Sequence, residues 1–177
     1  MIIFVAGIHG VGKTFLGAPV AQQLGIRHAT ASQLIREERG LQSWGADKRV
    51  SGLDENQAAL VSATKRLHSS GQNLLLDGHF VLRGTNGAFN EIDPQVFRDL
   101  QIGAVLLLEA DTDVVIDRLR VRGDTSWSPM ELRTLAAREE AHARHVSSAL
   151  GIAIRNLLAP GERQFGDAIK EIIRNFS

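Results

Sequence analysis

The sequence predicts an α/β fold, a parallel sheet of about five strands with helices on both faces. Three observations lead to it. Short apolar runs at Ile2 to Val5, Leu74 to Leu76 and Gly103 to Leu108 read as strands buried on both sides, and charge-rich amphipathic stretches separate them. The first run passes directly into Gly7 to Thr14, GIHGVGKT, with the spacing G-x-x-x-x-G-K-[ST], a phosphate-binding loop in its strand-to-helix setting. The length of 177 residues suits one domain with a full core, so 1–177 is expected to be a single unit.

Each residue type in that loop has its own reason. Glycines let the backbone bring N–H groups close to phosphate oxygens, where a Cβ would obstruct them. Lys13 is a point charge for the β- and γ-phosphates, and Thr14 offers a hydroxyl to Mg²⁺. The helix that follows aims its positive end at the same anion. Gly10, Val11, Gly12, Lys13 and Thr14 are therefore the candidates to bind ATP, and the layered architecture is expected to be a three-layer P-loop NTPase fold.

The elements follow in order. Thr14 to Leu24 reads as a helix with Phe15, Leu16, Val20 and Leu24 on its apolar face, Gly25 at its end and Pro19 as a kink or a shifted start. Ile26 to Ala29 is a short strand, and Ser32 to Gly40 a polar helix. Leu41 to Leu53, with Ser43, Trp44, Gly45, Ser51 and Gly52, has no period and is expected to be a mobile loop. Asp54 to Ser70 is a helix capped by Asp54, burying Leu60, Val61 and Leu67. Asn73 to Leu76 is a strand ending at Asp77, and Gly78 to Asn90 is a loop with His79, Arg83 and Asn86. Pro94 opens a short helix to Leu100, and Gly103 to Leu108 is the most continuously apolar strand. A helix from Asp111 to Val121, capped by Asp111 or Thr112, precedes a long charged helix from Ser128 to Leu150. Ile152 to Ile154 is the last strand, and Phe165, Ile169, Ile172, Ile173 and Phe176 line a closing helix.

Twenty basic residues balance twenty acidic ones, so there is no global field to gather nucleic acid or an anionic membrane, and a polynucleotide substrate is disfavoured. The absence of cysteine removes disulfides, Cys-ligated zinc and thiol catalysis together. The first apolar run is too short for a signal peptide and no span approaches membrane length, so no membrane association and a cytoplasmic location are expected.

Beyond the loop, Asp77 at the end of an apolar strand stands where an acid joins a Mg²⁺ shell, with strand-end capping as the plainer role. His79 divides evenly between a loop histidine and a residue near the phosphates. His142 and His145 lie one turn apart, but no third metal ligand accompanies them. Trp44 and Trp127 are expected to pack into loops rather than on a base. The charge-rich run from Arg138 to Arg144 reads as a solvated helix face, with Arg138 and Arg144 as reserve lid or anchor residues.

GIHGVGKT, SQLIR, LLLDGH and LLLEAD followed by DRLRVRG occur in the order and approximate spacing of the P-loop nucleoside monophosphate kinases. Within that superfamily the chain most resembles the archaeal-type adenylate kinases, with some similarity to the small nuclear-type adenylate kinases between Gly40 and Gly78. The resemblance implies an acceptor-binding segment at about 30–70 and a short lid at about 120–130. It implies that Arg36 holds the acceptor phosphate, that Arg118 flanks the adenine and that Arg122 reaches the transferring phosphate, with Asn156 and Leu157 to Gly161 around the donor base. Two departures accompany it. Asp124-Thr125-Ser126 runs into Trp127-Ser128-Pro129 where the archaeal enzymes carry lid arginines, leaving Arg133 or Arg138 as substitutes, and His9 stands where proline is common.

The expected function is transfer of the γ-phosphoryl of Mg-ATP to a nucleoside monophosphate, AMP first among them. Lys13, Asp77 and Arg122 act on the transferring group, Thr14 and Asp77 hold Mg²⁺, and Arg36 and His79 face the acceptor. The alternatives are a small-molecule hydroxyl kinase with Asp77 as general base, and a nucleotide-dependent ATPase switch whose loops contact a protein partner. The oligomeric state is left open.

Overall fold

All five residues of Ile2–Ala6 (β1) are buried. Successive strand residues point to opposite faces, so a strand without a solvent side needs cover on both. The computed structural model, which describes residues 1–40, 53–69, 71–84 and 86–176, supplies that cover. Lys13–Leu24 (α1) follows β1, then Arg27–Thr30 (β2), Ala31–Arg39 (α2), Leu53–Ser69 (α3) and Leu74–Asp77 (β3). Val81–Arg83 (β4) and Phe89–Glu91 (β5) come next, then Pro94–Asp99 (α4) and Ile102–Glu109 (β6). Thr112–Val121 (α5), Pro129–Leu150 (α6), Ala153–Leu158 (β7) and Glu162–Asn175 (α7) complete the order.

Five strands form one sheet in the order β2-β3-β1-β6-β7, and every pairing in it is parallel. The chain leaves β1 toward one edge and later crosses to the other, so the crevice beyond the carboxyl end of β1 is the topological switch point. Register sets what meets there: Asp77 pairs with Val5 on one side and Thr30 on the other, at the level where β1 becomes the glycine loop. Helix α1 packs on β2, β3 and α7, while α6 packs on β6 and β7 beside α4 and α5. An aromatic cluster of Phe4, Phe80 and Phe97 fills the space under the crevice, with ring centroids 4.5 to 5.4 Å apart.

Several boundaries differ from expectation. The stretch from Gly78 to Asn90 is more than a loop, since β4 and β5 form an antiparallel hairpin in it; three-residue strands around Gly84 and Gly87 are too short to carry a readable alternation. Phe15 is 77% exposed and off the buried face of α1, which is made by Leu16, Gly17, Val20 and Ala21. Pro19 lies within that helix. Asp54 is in the first turn of α3 rather than at its cap, and Phe176 is exposed. Asp111 does cap α5, accepting from the Asp113 N–H at 2.9 Å. The expected loop around Trp44 lies outside the described residues. No helix among the described residues is long and apolar enough to cross a membrane.

The start of α6 is a reciprocal capping box. The Ser128 hydroxyl accepts the Glu131 N–H at 3.2 Å, and the Glu131 carboxylate accepts the Ser128 N–H at 2.9 Å. The Ser128 N–H, then its hydroxyl, then the Arg83 charge hold the Glu131 carboxyl below its ordinary 4.5. Such a depressed group stabilises above its unfolded value, and the contribution is lost as pH falls through the lower folded value. Replacing Ser128 with alanine is expected to destabilise the fold by about 1 kcal/mol at neutral pH, read by urea titration.

Candidate active site

The glycine loop is built by backbone requirements. Gly7 has φ +134°, and a Cβ there would collide with the Leu108 carbonyl oxygen on β6. Gly12, at φ +113°, is the N-cap of α1 and provides no side-chain cap. Its helix-end N–H groups therefore have no side-chain acceptor of their own from that cap, the arrangement that favours an anion. The Lys13 ammonium folds back over the loop, donating to the Gly7 carbonyl and, at 3.2 Å, to that of Ile8.

Opposite the loop, the Asp77 carboxylate accepts from the Thr14 hydroxyl at 2.9 Å and lies 3.0 Å from His28 Nε2 on the same oxygen, Oδ2. Asp77 is 3% exposed, and its other oxygen, Oδ1, is buried without a hydrogen-bond partner among the described residues. A hydroxyl and a carboxylate converging with a spare carboxylate oxygen is an oxygen donor set of the kind Mg²⁺ takes, so the residues present fit that ion. His28, on β2, is a partner of Asp77 that sequence reasoning missed; a histidine in a polar, half-buried strand carries no motif.

A cleft of about 510 Å³ opens beside this group. Gly10, Gly12, Lys13, Thr14, Asp77, His79, Arg36 and Arg122 all line it, so the structure brings together the expected phosphate, metal and acceptor residues. Ile35, Leu60, Leu82, Ile92, Val96 and Leu100, from α2, α3, the hairpin and the α4 region, make an apolar wall. The Arg36 Nε is buried there with no hydrogen-bond partner among the described residues. Val11 is buried behind the loop. Two expected residues lie elsewhere: Arg118 donates to the Val11 carbonyl at 3.1 Å on another side of the loop, and Asn156 on β7 donates to Glu109 at 3.3 Å.

The segment between α5 and α6 is pinned to the loop and the hairpin. The Arg83 guanidinium lies 4.4 Å from the Trp127 ring centroid, and it donates to the Ser126 carbonyl at 3.0 Å and to Glu131 at 2.9 Å. Trp127 faces His9 with centroids 5.8 Å apart, and His9 lies against His79 at 4.2 Å. Trp127 thus packs between the hairpin and the phosphate loop. Further along α6, His142 bonds the Ile92 carbonyl at 2.6 Å.

Glu139, also on α6, departs from the solvated-face reading of Arg138 to Arg144, in which Arg138 and Arg144 are exposed. It is 1% exposed and accepts N–H bonds from Gly7 at 3.1 Å, Phe80 at 2.9 Å and Val81 at 2.7 Å. Burial pushes its carboxyl above the usual carboxylate range, against the pull of those N–H groups and of the Lys13 charge. One signal in the sequence could have found it: Leu132, Leu135, Glu139, His142 and Val146 form a helical stripe, all buried.

Comparison with known proteins places this geometry in context. Residues 6–133 match the model of a family described as an AAA domain. Over 123 residues the chain is 28% identical to a protein of Thermococcus onnurineus (strain NA1) named "Putative adenylate kinase", covering 70% of this chain and 56% of that one. The chain therefore spans just over half the length of this curated relative. Among solved structures, a shikimate kinase from Acinetobacter baumannii in complex with shikimate superposes with a TM-score of 0.65 at 18% identity, over 99% of this chain and 94% of the other. A protein of Chloroflexus aurantiacus described as "a putative kinase" does so with a TM-score of 0.60 at 16% identity, over 99% and 97%. At such identities these two likenesses speak for the fold: a parallel five-stranded sheet flanked by helices.

Proposed function

This chain belongs to the AAA domain family, and we propose that within it the protein is an ATP-dependent phosphotransferase whose acceptor is a nucleoside monophosphate. The observation that carries this reading is the Arg36 Nε, buried in the acceptor half of the cleft and unpartnered among the described residues. A buried guanidinium nitrogen without an acceptor is costly, and a phosphate oxygen would satisfy it. The rest of the lining agrees. Lys13, Arg36, Arg83 and Arg122 line the cleft, while Asp77 is its one carboxylate among the described residues and already holds Thr14 and His28.

A phosphate acceptor needs no general base, since its second pKa is near 6 and it is largely dianionic at neutral pH. Catalysis is then alignment and charge. The loop N–H groups and Lys13 would hold the donor phosphates, and Arg122 would face the transferring group. Thr14 and Asp77 would hold Mg²⁺, which when bound neutralises phosphate charge. In this reading 30–70 is the acceptor segment and 120–130 the lid, with Trp127 and Arg83 closing it where lid arginines are missing. The relative named "Putative adenylate kinase" supports AMP as the first acceptor to try.

A hydroxyl acceptor is the second reading, favoured by the unpartnered Asp77 Oδ1, which could take a proton, and by the shikimate kinase fold. Incubation with Mg-ATP and each of AMP, CMP, UMP, GMP, dAMP and shikimate, with products resolved by chromatography, separates the two. Formation of a diphosphate from one nucleotide is the expected outcome. ATP bound tightly with no monophosphate phosphorylated would sink the first reading.

A further inference from the structure

Glu139 is a fully buried carboxylate to which the reaction proposed above assigns no role. It stands midway along α6 and reaches two separate stretches of backbone: the Gly7 N–H, at the first turn of the phosphate loop, and the Phe80 and Val81 N–H groups, just past Asp77 and His79. Lys13 donates to the carbonyl of the same Gly7. One residue, whose φ of +134° suits only glycine, is thus gripped at its N–H by Glu139 and at its carbonyl by Lys13.

Helix α6 begins where the segment containing Ser126 and Trp127 ends, and Arg83 holds that segment through Ser126, Trp127 and Glu131. Ala143, one turn beyond Glu139, is fully buried, so α6 lies close to the body of the fold at this point.

We propose that Glu139 is a positioning residue of the phosphate site: its carboxylate fixes Gly7 and residues 80–81 together, so the loop holds its phosphate-receiving shape only while α6 is docked. This inference rests on the reading that the glycine loop binds nucleotide phosphates. Exchange of Glu139 for glutamine keeps the shape of the side chain but leaves one acceptor oxygen where two served. Its amide N–H₂ must then face either Gly7 or residues 80–81, which are themselves donors. Charge alone would act in the opposite direction, because removing a negative group beside the loop favours an incoming anion. The sign of the change therefore distinguishes positioning from simple repulsion.

The test uses the full chain, inorganic tripolyphosphate as probe, titration calorimetry for affinity and urea titration to report the folded fraction. Wild-type protein is expected to bind tripolyphosphate. Glu139→Gln is expected to bind it at least tenfold more weakly per folded molecule, and Glu139→Asp, which keeps the charge but reaches less far, to fall between them. In phosphoryl transfer, kcat is expected to fall while the acceptor KM stays within about twofold. Lower stability with unchanged tripolyphosphate affinity would overturn the proposal, as would tighter binding. Should Glu139→Gln not fold, Glu139→Asp decides: wild-type affinity in that variant overturns the proposal and weakened affinity upholds it. Failure of the wild-type protein to bind tripolyphosphate would instead overturn the reading of the loop itself, and this inference with it.

Discussion

Lys13→Ala is expected to lower phosphoryl transfer by about 10³-fold or more, the scale on which one well-placed cation or donor acts in such reactions. In the structure the Lys13 ammonium is held by the carbonyls of Gly7 and Ile8, within the loop that would surround the phosphates. Its charge therefore stands within the loop before any phosphate arrives. Truncation removes that charge and leaves the Glu139 carboxylate without its attraction, so the loop loses phosphate affinity as well as rate. ATP consumption with the acceptor identified by the nucleotide panel, compared with calorimetric ATP binding, measures both losses. Transfer within tenfold of wild type would mean that the stabilising charge lies elsewhere, with Arg122 the first alternative.

The phosphate loop was legible in the sequence because its requirements are local. Glycine at positions of positive φ, a lysine and a hydroxyl, all within eight residues after a strand, leave little for tertiary structure to decide. The parallel sheet was legible for a related reason, since strands buried on both faces read as unbroken apolar runs. Asp77 could be placed at the rim from its run of leucines alone. What the charge pattern hid, and only the helical stripe of Leu132, Leu135, His142 and Val146 around it could have shown, was burial decided by docking. A glutamate inside the run Arg138-Glu139-Glu140 looks solvated, and only the approach of Gly7 and residues 80–81 makes one of the two acids a core residue. Phe15 fails in the opposite direction. Its place in an apolar pattern suggested burial, but the start of α1 at Lys13 turns it toward the mouth of the cleft. The hairpin at 81–91 escaped because hydrogen bonding, rather than hydrophobic period, defines strands of three residues.

Arg36→Ala bears on which group receives the phosphoryl. The side chain comes from the last turn of α2, beside the buried Ile35, and its Nε has no partner among the described residues. Loss of a buried charged contact to a substrate phosphate costs about 2–5 kcal/mol, so kcat/KM for the acceptor is expected to fall by about 30-fold or more. The KM for ATP is expected to stay within about twofold, because the donor phosphates belong to the loop between Gly7 and Thr14. Arg36→Lys is expected to recover only part of the loss, since an ammonium keeps the charge but not the planar fork that pairs with a phosphate. Steady-state kinetics varying each substrate in turn separates the two arms. A hydroxyl acceptor predicts the reverse pattern: Arg36→Ala would be tolerated, and Asp77→Asn would abolish transfer because the base is gone. Under the monophosphate reading Asp77→Asn also slows the reaction, through the metal set, so only the response at Arg36 distinguishes the two acceptor chemistries.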